Sequence, residues 1–305
     1  MISTSVFSPQ DNRAIGEKLI SVIICSIDET KFAAVSNNLV ERLKGEPYEI
    51  IRIHDAKSLC EGYNRGARQS SGSILIFCHD DIEIVSPDFS HKIRSHLERY
   101  DMIGVAGTSR LANFEWSLSG HPHIHGVVTH IDRSTNRYVM VVLGAEEPLT
   151  ANVEALDGLF IATNKQVWEK IPFDEKTFDG FHGYDLDFSY TAYLSGYRIA
   201  VCSDIGIIHQ SIGRHDDNWY IYRTRFMEKH RKHIYRGEVG RRELGAIYIE
   251  NQDEILEMMQ PHILRHVTAD IRALAARKGQ KATHPSSKER FWRRLTGWLA
   301  KKKVE

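Results

Sequence analysis

The stretch ILIFCHDDIEI, Ile74 to Ile84, decides how the rest of the chain is read. Five residues give the pattern of a buried strand, and three ionisable groups follow in a row: His79, Asp80 and Asp81. Burying an unpaired carboxylate costs several kcal/mol or more, so these groups must meet water, a partner or a cation. A strand that runs from a core straight into charge is one whose end opens on a cleft.

The same pattern recurs upstream. KLISVIICSI (Lys18 to Ile27) is a continuous apolar, β-branched run, and YEIIRIHDA (Tyr48 to Ala56) is a second strand ending in His54 and Asp55. Between them TKFAAVSNNLVERLKG has helical spacing and stops at Gly45, and SLCEGYNRGARQSSG reads as a second helix. Strand, helix, strand, helix, strand predicts a doubly wound α/β fold with a parallel sheet. All three strands run out into polar residues at their C-terminal ends, the edge where open α/β sheets bind ligands.

Further on, Gly104 to Thr150 is less regular, with GHPHIHGVVTHID and RYVMVVLG fitting a hairpin or a loop excursion. ALDGLFIATNKQVWEKI reads as a strand entering a helix, and DLDFSYTAYLSGYRIAV as a helix followed by a strand. After about Trp219 the chain turns helical and charged. KGQKATHPSSK reads as a linker before RFWRRLTGWLAKKK.

Bulk properties narrow the class. The 305 residues are 42% hydrophobic and 26% charged, ordinary for a globular protein, and Lys+Arg 40 balances Asp+Glu 40, so no nucleic-acid partner is expected. Cys25, Cys60, Cys78 and Cys202 form no CxxC pair and read as buried free thiols in a reducing compartment. With neither a signal-peptide pattern at the N-terminus nor a membrane-length apolar run, a cytoplasmic protein is expected.

The succession ISVIICS, EIIRIHDA, GYNRGARQSSGSILIFCHDDIEI, LDGLFIATNKQVWEKIPFDE, FHGYDLDFSYTAYLSGYRI and IGIIHQSIG resembles a family 2 nucleotide-sugar glycosyltransferase of GT-A fold. It is most similar to the bacterial subgroup whose third strand ends in a His-x-Asp form, and the match covers about Lys18 to Gly213. The resemblance implies a polar lead over 1–17 and a GT-A domain over 18–235, with a nucleotide-binding half to about 103 and an acceptor half from 104. A helical extension over 236–280 and a linker with a basic helix over 281–305 follow. Two departures stand out. The family's Asp-x-Asp is here His79-Asp80-Asp81, and its Glu-Asp pair before the acceptor-side helix is Tyr184-Asp185.

Transfer from a nucleotide-diphosphate sugar makes a pyrophosphate the leaving group, whose charge calls for Mn²⁺ or Mg²⁺. Asp81, just past a strand end, is the first candidate metal ligand, with His79 and Asp80 orienting ribose, phosphate or bound water. By the resemblance, Asp55 accepts a hydrogen bond from the nucleobase, although a turn or helix-cap Asp fits the residue equally. Ser26 and Asp28 share the donor edge. Arg65 is placed either on phosphate or on a solvated helix face. Asp157 in LDGLF matches a position near sugar and acceptor, His209 in IIHQS a metal ligand, and Asp185 the general base of an inverting transfer. The donor is expected to be a UDP-sugar and the acceptor a glycan or lipid-linked hydroxyl. Residues 289–303, with Phe291, Trp292, Leu295, Trp298 and Leu299 among Arg and Lys, suit an anionic membrane surface, at the inner face, or a protein neighbour. His121, His123 and His125 alternate as strand-borne zinc ligands would, but no Cys or acidic partner completes a set.

Competing readings are a non-catalytic nucleotide- or glycan-binding relative, a sugar nucleotidylyltransferase and a glycoside hydrolase. A nucleotidylyltransferase would carry a Gly-rich basic loop after the first strand, where CSIDETKF has neither glycine nor arginine. A hydrolase needs two carboxylates about one bond, which Asp81 and Asp185 imitate, but has no use for a nucleotide-binding sheet edge.

Overall fold

A computed structural model describes residues 19–132, 135–211 and 217–276. Strand β1 (Ile20–Cys25) pairs in parallel with β2 (Tyr48–Ile53) and with β3 (Ile74–Cys78). Side chains on a strand alternate between faces. Accordingly Ile23, Leu75 and Phe77 enter one core, and Ile20, Val22, Ile24, Ile74 and Ile76 enter another. Two cores need two covering layers. Helix α1 (Glu29–Arg42) brings Val35 and Leu39 to the second face, where α3 (Phe89–Arg99) adds Phe89, Ile93 and Leu97. Helix α2 (Leu59–Gln69) covers the first face with Tyr63 and Ala67.

The full order of this sheet is β2-β1-β3-β11-β5-β12-β9, with β5 (Met102–Gly104), β9 (Leu149–Thr150), β11 (Phe160–Asn164) and β12 (Ile199–Cys202). β11 lies antiparallel between β3 and β5, β12 runs parallel to β5, and β9 is antiparallel to β12. Five of the seven strands therefore point one way, the mostly parallel doubly wound sheet expected of a GT-A fold. The reversal at β11 matters for the site. It brings the residues just before Phe160 to the same edge as the C-terminal end of β3, with Phe160 opposite Cys78. Short α4 (Lys165–Lys170) follows it, and α5 (Tyr184–Leu194) packs Leu186, Phe188 and Tyr190 into the first core.

The irregular middle resolves into a hairpin. β7 (Ile124–Asp132) and β8 (Arg137–Gly144) pair antiparallel within a second sheet, alongside β4 (Ile82–Ile84), β6 (Ala106–Thr108), β10 (Ala155–Leu156) and β13 (Ile207–His209). The segment after Trp219, read from sequence as helical, contains α6 (Asp217–Lys229), α7 (Gln252–Met258) and α8 (Pro261–Ala276), but also a strand, β14 (Gly245–Ile249), on the edge of β8. Here β-branched residues alternate with partners across β8, and that pairing outweighs the surrounding helical composition. Together β14, α7 and α8 close a third core over Val127, Met140, Val142 and Ile208. No helix among the described residues is long and apolar enough to cross a membrane. The lead over 1–17, the linker at 278–288 and the basic segment at 289–303 lie outside the described residues.

Candidate active site

The third strand delivers His79, Asp80 and Asp81 to the sheet edge because β3 ends at Cys78, where the His79 amide bonds to the Leu159 carbonyl across the β11 side. The chain then turns into β4, whose antiparallel partner is β13, with His209 opposite Ile82. That pairing, closed by a hydrogen bond from the Gln210 amide to the Asp81 carbonyl, sets His209 Nε2 3.3 Å from Asp81 Oδ1. His79 Nδ1 lies 3.9 Å from the same oxygen. Ligand atoms of His79, Asp81 and His209 all fall within 4.8 Å of one another.

Electrostatics keep this group ready for a cation. Burial would raise the Asp81 carboxyl, but hydrogen bonds from His209 and Ser211 and the two histidines hold it well below the usual carboxylate range. Burial, and then His209, push the His79 imidazole down toward its neutral, ligating form, against the pull of Asp157, Asp81 and Asp80. Lys31 Nζ, one turn into α1, stands 3.9 Å from both Asp80 and Asp81, a separation that leaves the carboxylates free to take a tighter partner. The Asp81 carboxylate is the oxygen donor that Mn²⁺ and Mg²⁺ prefer, and the two imidazole nitrogens are donors that Mn²⁺ accepts more readily than Mg²⁺, so the residues fit the expected metal.

Asp80 turns the other way and accepts from Ser26 Oγ at 2.7 Å, joining the ends of β1 and β3. Asp28 caps α1, its Oδ1 taking the amides of Thr30 and Lys31. Asp55 and Arg65 pair with each other at 2.8 Å, and Arg65 also meets Glu61, so the half-buried arginine, read from sequence either on phosphate or on a solvated helix face, is held by carboxylates. This pair lies at the end of β2 on the same edge, without a contact to the His79 cluster among the described bonds.

Asp185 sits in the first turn of α5, entered through Gly183 at φ 79°, a left-handed conformation that favours glycine. Its Oδ2 accepts from the Gly158 amide at 2.8 Å. Burial and the like charge of Asp157 raise its carboxyl to about 7, against the backbone amides that favour ionisation. Asp157 is itself placed by Trp116 Nε1 at 3.0 Å and by the Leu159 amide. Between Asp185 and the His79 cluster stands Tyr184, its hydroxyl 2.9 Å from His79 Nε2 and 3.1 Å from the Gly158 carbonyl. Asp187 is buried against Lys229 and His230 at 2.8 and 2.7 Å, which makes it a clamp between α5 and α6.

Ser26, His79, Asp80, Asp81, Asp157, Asp185 and His209 are thus gathered along one edge, while Asp28 serves a helix end. Sequence reading missed Lys31, Trp116, Gly158 and Tyr184 as parts of the site. Only Tyr184 carried a signal, as a departure from the family pattern. His121 and His125 bond to the Glu243 carbonyl and to Ser109, and neither joins a metal-ligating cluster among the described residues. A second cluster, His96, Cys202 and Asp204, contains a His–Asp pair, with His96 Nε2 3.1 Å from both Asp204 carboxylate oxygens, and it lies apart from the residues gathered around His79. The Cys25 thiol is pushed up to about 12 by burial, and burial raises Cys60, Cys78 and Cys202 as well, which favours the protonated thiol at all four.

A family described as a glycosyltransferase-like family matches residues 21–236. The streptomycin biosynthesis protein StrF of Streptomyces griseus is 23% identical over 205 residues, covering 64% of this chain and 68% of its own. Among solved structures, the chain is similar to a mannosyltransferase from Pyrobaculum calidifontis in complex with GDP-Man and Mn²⁺, with TM-score 0.46 and 12% identity over 94% of this chain and 86% of that one. It is also similar to TarS 1-349 of S. aureus, with TM-score 0.40 and 12% identity over 71% and 72% of the two chains.

Proposed function

Because the chain belongs to the glycosyltransferase-like family, we propose that it is a metal-dependent, inverting glycosyltransferase that moves a sugar from a nucleotide-diphosphate donor to an acceptor hydroxyl. One observation carries this reading: the cluster of His79, Asp81 and His209 and the raised carboxyl of Asp185 open on the same sheet edge, linked through Tyr184 and Gly158.

The chemistry divides between the two ends of that link. His79, Asp81 and His209 would hold Mn²⁺ or Mg²⁺, which when bound offsets the charge that grows on the departing diphosphate. Asp185 takes the proton of the acceptor hydroxyl as its oxygen attacks the anomeric carbon. The bond from that carbon to the diphosphate oxygen breaks, and the nucleoside diphosphate leaves with the electron pair. A carboxyl near 7 suits this task, since a base is most effective when its affinity for protons is close to the working pH. Ser26 and Asp80 shape the donor side, Asp157 lies between sugar and base, and Asp55 with Arg65 flanks the nucleobase end. A UDP-sugar is the first donor to test, with a glycan or lipid-linked acceptor.

Thermal melting of the protein with UDP, GDP, dTDP and CDP, each with and without Mn²⁺ or Mg²⁺, tests the donor site. A ligand that binds only the native state raises stability as ln(1 + [L]/Kd). One nucleotide should shift the melt, and only with metal. No shift from any pair would remove the donor-site reading.

A further inference from the structure

The two positions where the chain departs from the family pattern, His79 and Tyr184, touch each other at 2.9 Å. The direction of that hydrogen bond follows from a third partner. The Gly158 carbonyl, 3.1 Å from the Tyr184 hydroxyl, can only accept, so the phenol donates its single proton there. The phenol oxygen must then accept from His79 Nε2–H. A neutral imidazole protonated at Nε2 keeps its lone pair on Nδ1, and Nδ1 is the nitrogen facing Asp81.

We propose that Tyr184 is a positioning residue of the metal centre: its hydroxyl fixes the His79 tautomer that ligates through Nδ1. This rests on reading His79, Asp81 and His209 as the metal site. The ring of Tyr184 is buried beside Tyr63 and Phe173, packing that phenylalanine would reproduce, so the hydroxyl is the part with a separate task. Gly158 serves both ends. Its carbonyl receives the phenol proton and its amide donates to Asp185, so one residue joins the orientation of a metal ligand to that of the base. A Cβ at this position would collide with the Tyr184 hydroxyl and the Asp185 Cβ, which accounts for the glycine.

The experiment is Mn²⁺ binding to the full chain, read by electron paramagnetic resonance, for wild type, Tyr184→Phe, His79→Ala, Asp81→Asn and the Tyr184→Phe/His79→Ala pair. Histidine ¹⁵N shifts of the metal-free protein report the His79 tautomer. Tyr184→Phe should weaken Mn²⁺ binding about 10–100-fold, the usual cost of losing a group that orients a ligating histidine. It should turn a pure Nε2–H tautomer into a mixture and add nothing in the His79→Ala background. Wild-type affinity in Tyr184→Phe alongside weakened binding in His79→Ala overturns the role of Tyr184 and leaves the metal centre standing. Wild-type affinity in Asp81→Asn overturns the centre itself, and the proposal with it.

Discussion

At the scale of single residues, the site separates three carboxylates by what surrounds each. Asp81 is held ionised by hydrogen bonds and the two histidines, Asp185 is raised by desolvation and Asp157, and Asp187 is paired with Lys229 and His230. Asp185→Asn should lower kcat/KM by about 10²–10⁴-fold, the usual contribution of a general base, with donor affinity unchanged because the base acts in the transition state. Comparing turnover with donor binding by calorimetry checks both halves, and retained transfer would remove Asp185 from the role. The sign of the pH dependence follows from the same carboxyl. Its raised value means that the ionised, proton-accepting form grows in as pH rises through about 7, so transfer should climb across that range. Asp157→Asn removes the like charge and should move this limb to lower pH. A limb that stays in place would assign the titration to another group.

Elements meet through a few tightly specified contacts. Helix α2 lies so close to β1 that a Cβ at Gly66 would run into the Ile23 side chain, and one at Gly62 into Cys25 and Ala56. The spacing of these glycines, four apart on one helix face, opens a groove for the sheet. Gly66→Ala should therefore destabilise the protein by about 1–3 kcal/mol through overpacking, read from urea unfolding. An unchanged midpoint would mean that the helix can lift off the strand at no cost. Between α5 and α6 an ion pair is added to the ring contact of Tyr190 with Phe226. Asp187→Ala would strand His230, itself buried, and leave Lys229 without its deeper partner, a change expected to cost about 3 kcal/mol in the same measurement. The pair also holds α5 in place, so part of its effect should appear as a loss of turnover through Asp185.

For the molecule as a whole, the family match ends at residue 236 while the core does not. Val127, Met140, Val142 and Ile208 lie under β14, α7 and α8, and Ile208 precedes His209 directly. A chain ending at 236 would expose these residues and loosen the strand that carries His209 to Asp81. It should bind a hydrophobic dye and lose its cooperative melt. A truncated chain that melts like the full one would mean that the third core is dispensable.

The sequence by itself determined the first half of the sheet, because continuous apolar runs and strand-to-helix order are local patterns: β1, β2 and β3 with α1 and α2 lie where the apolar runs and helical spacing place them. It also marked His79 to Asp81, since charge directly after a buried strand requires a cleft. By resemblance it named Asp185, Asp157 and His209. Only the tertiary structure decided which of these meet. The reversal of β11 and the pairing of β4 with β13 bring residues 79, 158 and 209 to one edge, and no local pattern encodes a contact between strands so far apart in the chain. Arg65 shows the same limit from the other side: its contact with Glu61, four residues back on the same helix, is local and legible in the sequence, but its pairing with Asp55 is set by where β2 ends against α2. Tyr184 reads in sequence as an oddity beside an aspartate. Its hydrogen bonds to His79 and Gly158 exist only once three separate segments are folded together, because direction and distance, not residue type, decide what a hydroxyl does.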